Sequence, residues 1–364
     1  MTLIVAALLG AVVAIAELAS SSSGTSVSTS SGTRTGGLPT GSLASLDLAG
    51  PLAVGPTGAL YIADVARDRI LVRLPDGHFR IVAGTGKAGF SGDGGPAVRA
   101  ELSGVSDLAF APDGMLYIAD SGRVRTVSRD GVIRTIAGDG RDSAPLTRPL
   151  TIANGTPALS ALLGSTAYLA KDGNPLSIAL SASGQLYIST GWQILRVTPA
   201  GTFQAIGARI TSGPYNGRQI SGFGPIAVDG HGKIDVAGVN GWSIWQVAKD
   251  GTARYLGYAR RSGGGYAVLE RDPNGSVYGM TGGGLVHVGR HRLVTTLAFP
   301  NAVHGEYFSP TYFAFGPHQL IYADELPGDA GFEAHQQLVS VRNTHISLLW
   351  QERNAGDRDS FSPH

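Results

Sequence analysis

The sequence predicts an all-β chain, a six-bladed β-propeller of four-stranded antiparallel blades, preceded by a signal or anchor segment and a flexible linker. Three observations predict it. Between Gly50 and Gly86 four short apolar runs (Leu52 to Val54, Leu60 to Ala63, Ile70 to Leu74, Phe79 to Ala83) alternate with Gly, Pro, Asp and Arg clusters of turn composition. That spells a meander, too apolar on both faces to stand alone in water. The pattern returns from Val105 to Gly140 and from Leu176 to Gly207, then more faintly from Gly224, from Tyr266 and from Tyr307 to Gln351. Six related units of roughly 40 residues, all strand and turn, point to a closed ring rather than an open solenoid.

Taken in order, the chain opens with residues 1–19, whose apolar run Leu3 to Ala16 is too short for an ordinary membrane span and has the length of a secretory signal core. Ala14-Ile15-Ala16 supplies a small-residue cleavage pattern. No Lys or Arg precedes the run, so an uncleaved anchor and a misassigned start stand beside the signal peptide as alternatives. Residues 20–42 are almost wholly Ser, Thr and Gly and read as a disordered linker, because they hold little apolar surface to offset the entropy of ordering. The propeller is expected over 43–351 and a polar tail over 352–364. The expected location is secreted or membrane-anchored, outside the cytoplasm. The chain has no cysteine, which excludes disulfides and an anchor acylated on cysteine.

Composition narrows the partners. With 28 basic against 27 acidic side chains the net charge is +1, far from the basic footprint of a nucleic-acid binder. Arg123, Arg125, Arg129 and Arg134 crowd the second repeat and read as alternation on solvent-facing strand positions. A monomer is expected, touching a membrane only through an N-terminal anchor. Asp64, Asp120 and Asp324 end the second run of their repeats, where Thr190, Thr281 and Gly238 stand in the others. A short acceptor there takes backbone N–H bonds from the turn that follows, a structural use. Asp76-Gly77, Asp130-Gly131 and Asp250-Gly251 read as hairpin turns.

The recurring Gly-Ala/Met-Leu-Tyr-Ile-Ala-Asp, then Arg-Ile/Val, then Asp-Gly resembles the NHL repeat of six-bladed propellers. Val82 to Leu102, VAGTGKAGFSGDGGPAVRAEL, is similar to a linker between blades in bacterial and teneurin-type NHL proteins. The resemblance covers Gly50 to Gln351 and is strongest in the first two repeats. It implies a propeller family with several uses. Some members bind RNA through a basic face, and others stand outside the membrane on receptor kinases. Propeller lyases resembling this fold place His around zinc, and propeller lactonases place carboxylates and Asn around calcium. None of those motifs aligns with a numbered residue here.

Function is expected in what the repeat does not require. The long insertions, Thr85 to Leu102, Asp139 to Pro175, Ala208 to Gly222, Arg260 to Gly265, Pro300 to Ser309 and Glu325 to Gln336, all fall on one face of such a fold. The reading is a binding or scaffold module without a cofactor, recognising a protein, peptide or glycan through Tyr215, Arg218, Arg260, Arg261, His304, Glu306 and Tyr307. The alternative is a metal-dependent lyase or lactone hydrolase, with Ca²⁺ or Zn²⁺ held by Glu325, Asp329, Glu333 and His335. A second alternative is an extracytoplasmic sensor domain. An enzyme of this kind predicts inward-facing His or carboxylates on the first strands. There the sequence shows Leu52, Leu108, Ile178, Ile226, Val268 and Phe313 with few charged neighbours, which favours binding. Gly94 to Leu102 is echoed by Gly155 to Leu162, predicting a short helical turn over the groove between blades. Gly89 to Pro96 lacks the strand, helix and Lys-Ser/Thr of a phosphate loop, and no Gly-x-Ser-x-Gly elbow appears.

Overall fold

The protein is described from a computed structural model covering residues 50–141, 151–163, 176–211, 217–218, 220, 223–238, 243–258, 268–272, 274–281, 284–288, 294–296, 310–316, 320–325, 336–342 and 345–351. All of these lie in the second of the chain's two units, Ser42–His364.

Leu-Tyr-Ile triplets and their β-branched partners form the strands, and glycines at fixed offsets turn them. In the first sheet β1 (Leu52–Val54), β2 (Leu60–Asp64), β3 (Arg69–Arg73) and β4 (Phe79–Ala83) pair in chain order. The second repeats this with β5 (Val105–Phe110), β6 (Leu116–Asp120), β7 (Arg123–Val127) and β8 (Ile133–Ala137). The third has β9 (Ser177–Leu180), β10 (Leu186–Ser189), β11 (Ile194–Val197) and β12 (Phe203–Ile206). Gly58, Gly114 and Gly184 close the first hairpins of these sheets at φ of 80°, 84° and 76°, a conformation that favours glycine. Gly77, Gly131 and Gly251 do the same at the Asp-Gly turns read from the sequence.

The fourth sheet departs from the expected four strands. Its meander β14 (Phe223–Val228), β15 (Ile234–Gly238), β16 (Ser243–Val247) and β17 (Thr252–Tyr258) carries a fifth strand, β13 (Arg209–Ile210), parallel to β17 on the outer edge. The fifth sheet is β18 (Val268–Arg271), β19 (Val277–Thr281), β20 (Gly284–Val288) and β21 (Val294–Thr296). The sixth is β22 (Pro310–Phe315), β23 (Leu320–Glu325), β24 (Gln336–Arg342) and β25 (His345–Gln351). Five sheets are thus four-stranded and antiparallel, and one is a four-stranded meander with an added edge strand.

First strands pack on first strands: β1 on β5, β5 on β9, β9 on β14, β14 on β18, β18 on β22, and β22 on β1. This is a propeller. Its core is a series of slabs between neighbouring sheets. Ala63, Ile70 and Ala83 meet Leu108, Ile118 and Ile133 in one, and Leu52, Leu60, Ile62 and Leu71 meet Ala314 in another. Each slab buries side chains worth roughly 1.5–3 kcal/mol apiece, which neither sheet buries alone.

The connections between sheets hold the outer edges. After β4 the chain turns back along β8: Gly94 N–H donates to Ile133 O at 2.8 Å, Ile133 N–H to Gly95 O at 3.0 Å and Ala97 N–H to Gly131 O at 2.8 Å. After β8 the next linker lies along β12 in the same way, with Gly155 to Phe203 O at 2.9 Å, Phe203 to Thr156 O at 2.8 Å and Ala158 to Gly201 O at 2.8 Å. The expected helical turns are present as 3₁₀ turns, Ala97–Arg99 and Ala158–Ser160. Leu102 corresponds to Leu163, one residue beyond the echo read from the sequence, and both are buried. β13 performs the same task on β17. Three of the insertions read as recognition loops therefore cover edge strands whose backbone groups would otherwise stand open.

Candidate functional site: the axial channel

Strand register brings one residue from each first strand to an equivalent position. Leu52 lies opposite Ile62, Leu108 opposite Ile118, Ile178 opposite Ile188, Ile226 opposite Val236, Leu269 opposite Gly279 and Phe313 opposite Tyr322. The next residue along each strand is Ala53, Ala109, Ala179, Ala227, Glu270 and Ala314. Five alanines and one glutamate thus form a girdle around a cavity of about 850 Å³ that all six line. One step before the core residues come Pro51, Asp107, Ser177, Pro225, Val268 and Tyr312, and one step beyond the girdle Val54, Phe110, Leu180, Val228, Arg271 and Phe315, all lining the same cavity. Ser103, Gly104, Val65 and Ser121 also line it, which carries the cavity to the end where the linkers and the second-to-third strand turns emerge.

Polar groups on these strands fasten neighbour to neighbour. Asp107 Oδ2 accepts from Ile178 N–H of the next sheet at 2.8 Å and Oδ1 from its own Leu108 N–H at 2.8 Å. Ser106 Oγ donates to Leu176 O at 2.8 Å, and Ser177 Oγ accepts from Ile226 N–H at 3.2 Å. Burial pushes the Asp107 carboxyl up to about 6 against these hydrogen bonds. Arg271 pairs with Asp235, also pushed up to about 6 by burial, and donates to Gly275 O at 2.6 Å. Glu270 differs from both. Burial first and the Asp107 carboxylate second push it up to about 8, offset only by the Arg271 backbone N–H. In ring order the sheets bearing Asp107 and Glu270 are second and fifth, on opposite sides of the axis.

The match to a family model is local. Residues 73–161 match the family model described as the Teneurin NHL domain. The chain carries NHL repeats. Over 102 residues, 24% of this chain, it is 36% identical to Teneurin-1 of Homo sapiens, and over 95 residues 38% identical to Teneurin-4 of the same species. The chain spans only about 4% of the length of the teneurins it matches. Among solved structures, virginiamycin B lyase from Staphylococcus aureus is similar at 12% identity and a TM-score of 0.47, each chain covered over 82% of its length. A gluconolactonase from Xanthomonas campestris is similar at 12% identity and 0.47, over 75% of this chain and 82% of that one.

In this NHL propeller the residues singled out from the sequence fall as follows. Arg218 is exposed, and its carbonyl accepts from Ile210 N–H at 2.8 Å, closing the loop that carries β13. Glu325 ends β23. Tyr215, Arg260, Arg261, His304, Glu306, Tyr307, Asp329, Glu333 and His335 lie outside the described residues. Among the described residues no group of three or more His, Asp or Glu side chains is placed to hold a metal ion.

Three expectations are corrected. The first strands do carry charge, at Asp107, Glu270 and Arg271. In the fifth repeat Leu269, not Val268, is the core residue, and a slip of one position hid the glutamate beside it. Arg125 is no solvent-facing arginine: it is fully buried, and its guanidinium bonds Asp120, Asp93, Glu101 O and Ser91 O. Of the recurring Asp residues, Asp64 and Asp120 are held by structural contacts, with partners other than those expected, and the Asp324 side chain lies outside the described ones. Asp64 pairs with Arg67 and Arg69, and Asp120 accepts from Ser103 N–H and Arg125.

Proposed function

We propose that this chain is an exported six-bladed NHL propeller acting as a binding module, its ligand seated in the axial channel and reached from the loop-bearing end. The supporting observation is the cavity of about 850 Å³ walled by six first strands, within the roughly 300–1,000 Å³ typical of ligand sites on rigid scaffolds. Six sheets whose first strands contact in a closed circuit support the blade count. The apolar run Leu3 to Ala16 and the Ser/Thr/Gly stretch after it support export; among the described residues no helix is long and apolar enough to cross a membrane. Arg218, with Tyr215, Arg260, Arg261, His304, Glu306 and Tyr307, would contact the parts of a protein, peptide or glycan that remain outside the channel.

A fragment library screened against the full chain by ligand-observed NMR tests the reading. Hits should disappear with Ala179→Trp, which fills the girdle, and weaken with the milder Ala227→Leu, circular dichroism confirming that both variants fold. Hits indifferent to both would move the seat off the axis. Glu270 and Asp107 favour a second reading, catalysis on a bound ester or lactone. Turnover of a lactone panel that vanishes with Glu270→Gln would establish it.

A further inference from the structure

Glu270 is the odd member of a girdle that is otherwise alanine, and the fold has no need of it there. Five of six equivalent positions close the ring with a methyl group. The charged groups around it are committed elsewhere. Arg271 is taken by Asp235 and Gly275 O, and Asp107 is satisfied by Ile178, Leu108 and Ser177. Among the described residues no cation faces the Glu270 carboxylate. Ionising a partly buried carboxyl without a counter-charge is costly, and a cationic ligand offsets that cost.

The walls point the same way. Phe110, Tyr312, Phe313 and Phe315 line the cavity. Tyr278, the cross-strand partner of Glu270, packs on Phe315 with ring centroids 4.8 Å apart. Aromatic faces attract ammonium groups and accommodate an apolar body. A metal ion fits less well. Calcium takes 6–8 oxygens and zinc four strong ligands as a rule, and this lumen offers Glu270 and one carboxylate already hydrogen-bonded.

We propose that the channel seats a primary ammonium group on an aromatic or aliphatic body, with Glu270 as its counter-charge. This rests on the reading of the channel as the ligand seat. The ammonium can belong to a free amine or to the N-terminus or a lysine of a peptide; the chemistry at Glu270 is the same. Because Glu270 is held protonated near neutrality by burial and by Asp107, with Arg271 spent on Asp235 and the Tyr278 hydroxyl pushed up by burial, seating the ammonium expels one proton to the solvent.

Isothermal titration of the full chain at pH 7, in two buffers of different ionisation enthalpy, tests this with phenethylamine, 2-phenylethanol, a lysine tripeptide and Ca²⁺. Phenethylamine should bind about tenfold or more tightly than the alcohol, with proton release, and the preference should vanish in Glu270→Ala, a variant the other five sheets show to be compatible with the fold. Preference for the tripeptide over phenethylamine, equally dependent on Glu270, would support the same site with a peptide as the source. Equal binding of amine and alcohol overturns the ammonium proposal and leaves the channel reading in place. Failure of amine, peptide and alcohol alike overturns both. Calcium binding that depends on Glu270, with no amine binding, reassigns the site to a metal.

Discussion

The first two inter-blade linkers follow one course and are fastened by different chemistry. In the first, Arg125 is buried and bridges Asp120 on its own sheet to Asp93 and Ser91 O of the linker, and Asp93 accepts Thr135 N–H at 3.0 Å. In the second, register places Thr190, Leu195 and Asn154 where Asp120, Arg125 and Asp93 stand. Asn154 still accepts a backbone N–H, from Ala205 at 2.7 Å, and Leu195 is buried in the slab. Ile152, in the place of Ser91, is gripped by Gln193, which accepts its N–H at 2.6 Å and donates to its carbonyl at 3.3 Å. Backbone geometry is kept while every charged member has become neutral. Between these two linkers the ion network is exchanged as a unit, because a member left behind without a substitute partner is a desolvated charge.

The largest effect should come from breaking that unity. Arg125→Leu alone leaves the buried Asp120 carboxylate without its cation and should cost about 3–5 kcal/mol in chemical denaturation. Asp93→Asn, Asp120→Thr and Arg125→Leu together should recover most of it, ending within about 1–2 kcal/mol of the parent. If the triple variant is as unstable as the single one, the two fastenings are not interchangeable.

The shared backbone should answer alike in both linkers. Gly84 and Gly138 stand at φ of 91° and 81°, and a Cβ would meet Asp68 O at 2.3 Å and Gly122 O at 2.2 Å. Each Gly→Ala change should cost about 2–3 kcal/mol, equally at the two sites, by thermal denaturation.

Glu270 applies the same logic to a charge that has no partner. Its folded-state value is raised from 4.5 to about 8, so the stability it contributes is full below 4.5 and lost as pH rises through 8. Glu270→Ala should therefore match the parent near pH 4 and exceed it near pH 9 by on the order of 1–3 kcal/mol, read from urea midpoints at the two pH values. Coincident pH profiles would mean that the carboxylate is compensated.

The smallest effect lies at the rim. Phe90 is 43% exposed under the Arg123 guanidinium, 3.6 Å from its ring centre. Phe90→Ala should cost about 0.5–1 kcal/mol. Thr151, in the corresponding place on the second linker, should tolerate alanine without measurable change.

What could be read in the sequence was what repeats. Leu-Tyr-Ile triplets and Asp-Gly turns fix strands through local chemistry, so sheets, hairpins and the two 3₁₀ turns were legible. Arg125 was not, because alternation along β7 says which face a residue takes and nothing of a linker folded over that face. The linkers' bonds to β8, β12 and β17 join residues tens of positions apart and leave no local pattern, so beyond the echoed turn the sequence reads these insertions as recognition loops. Glu270 was within reach. Aligned residue by residue, the repeats show alanine five times and glutamate once, but the faded fifth copy allowed a register slip that moved the wrong side chain to the axis.

Among the described residues every sheet is built from one stretch of chain, and the joint between β22 and β1 carries no shared strand. Five of the six joints are spanned by the chain running from one sheet to the next, and among the described residues the sixth is closed by the packing of Ala314 against Leu52, Leu60, Ile62 and Leu71. Under tension between the two ends of the chain, that joint is the clasp of the necklace: it bears the load first, and its parting would open the lumen sideways along its whole length.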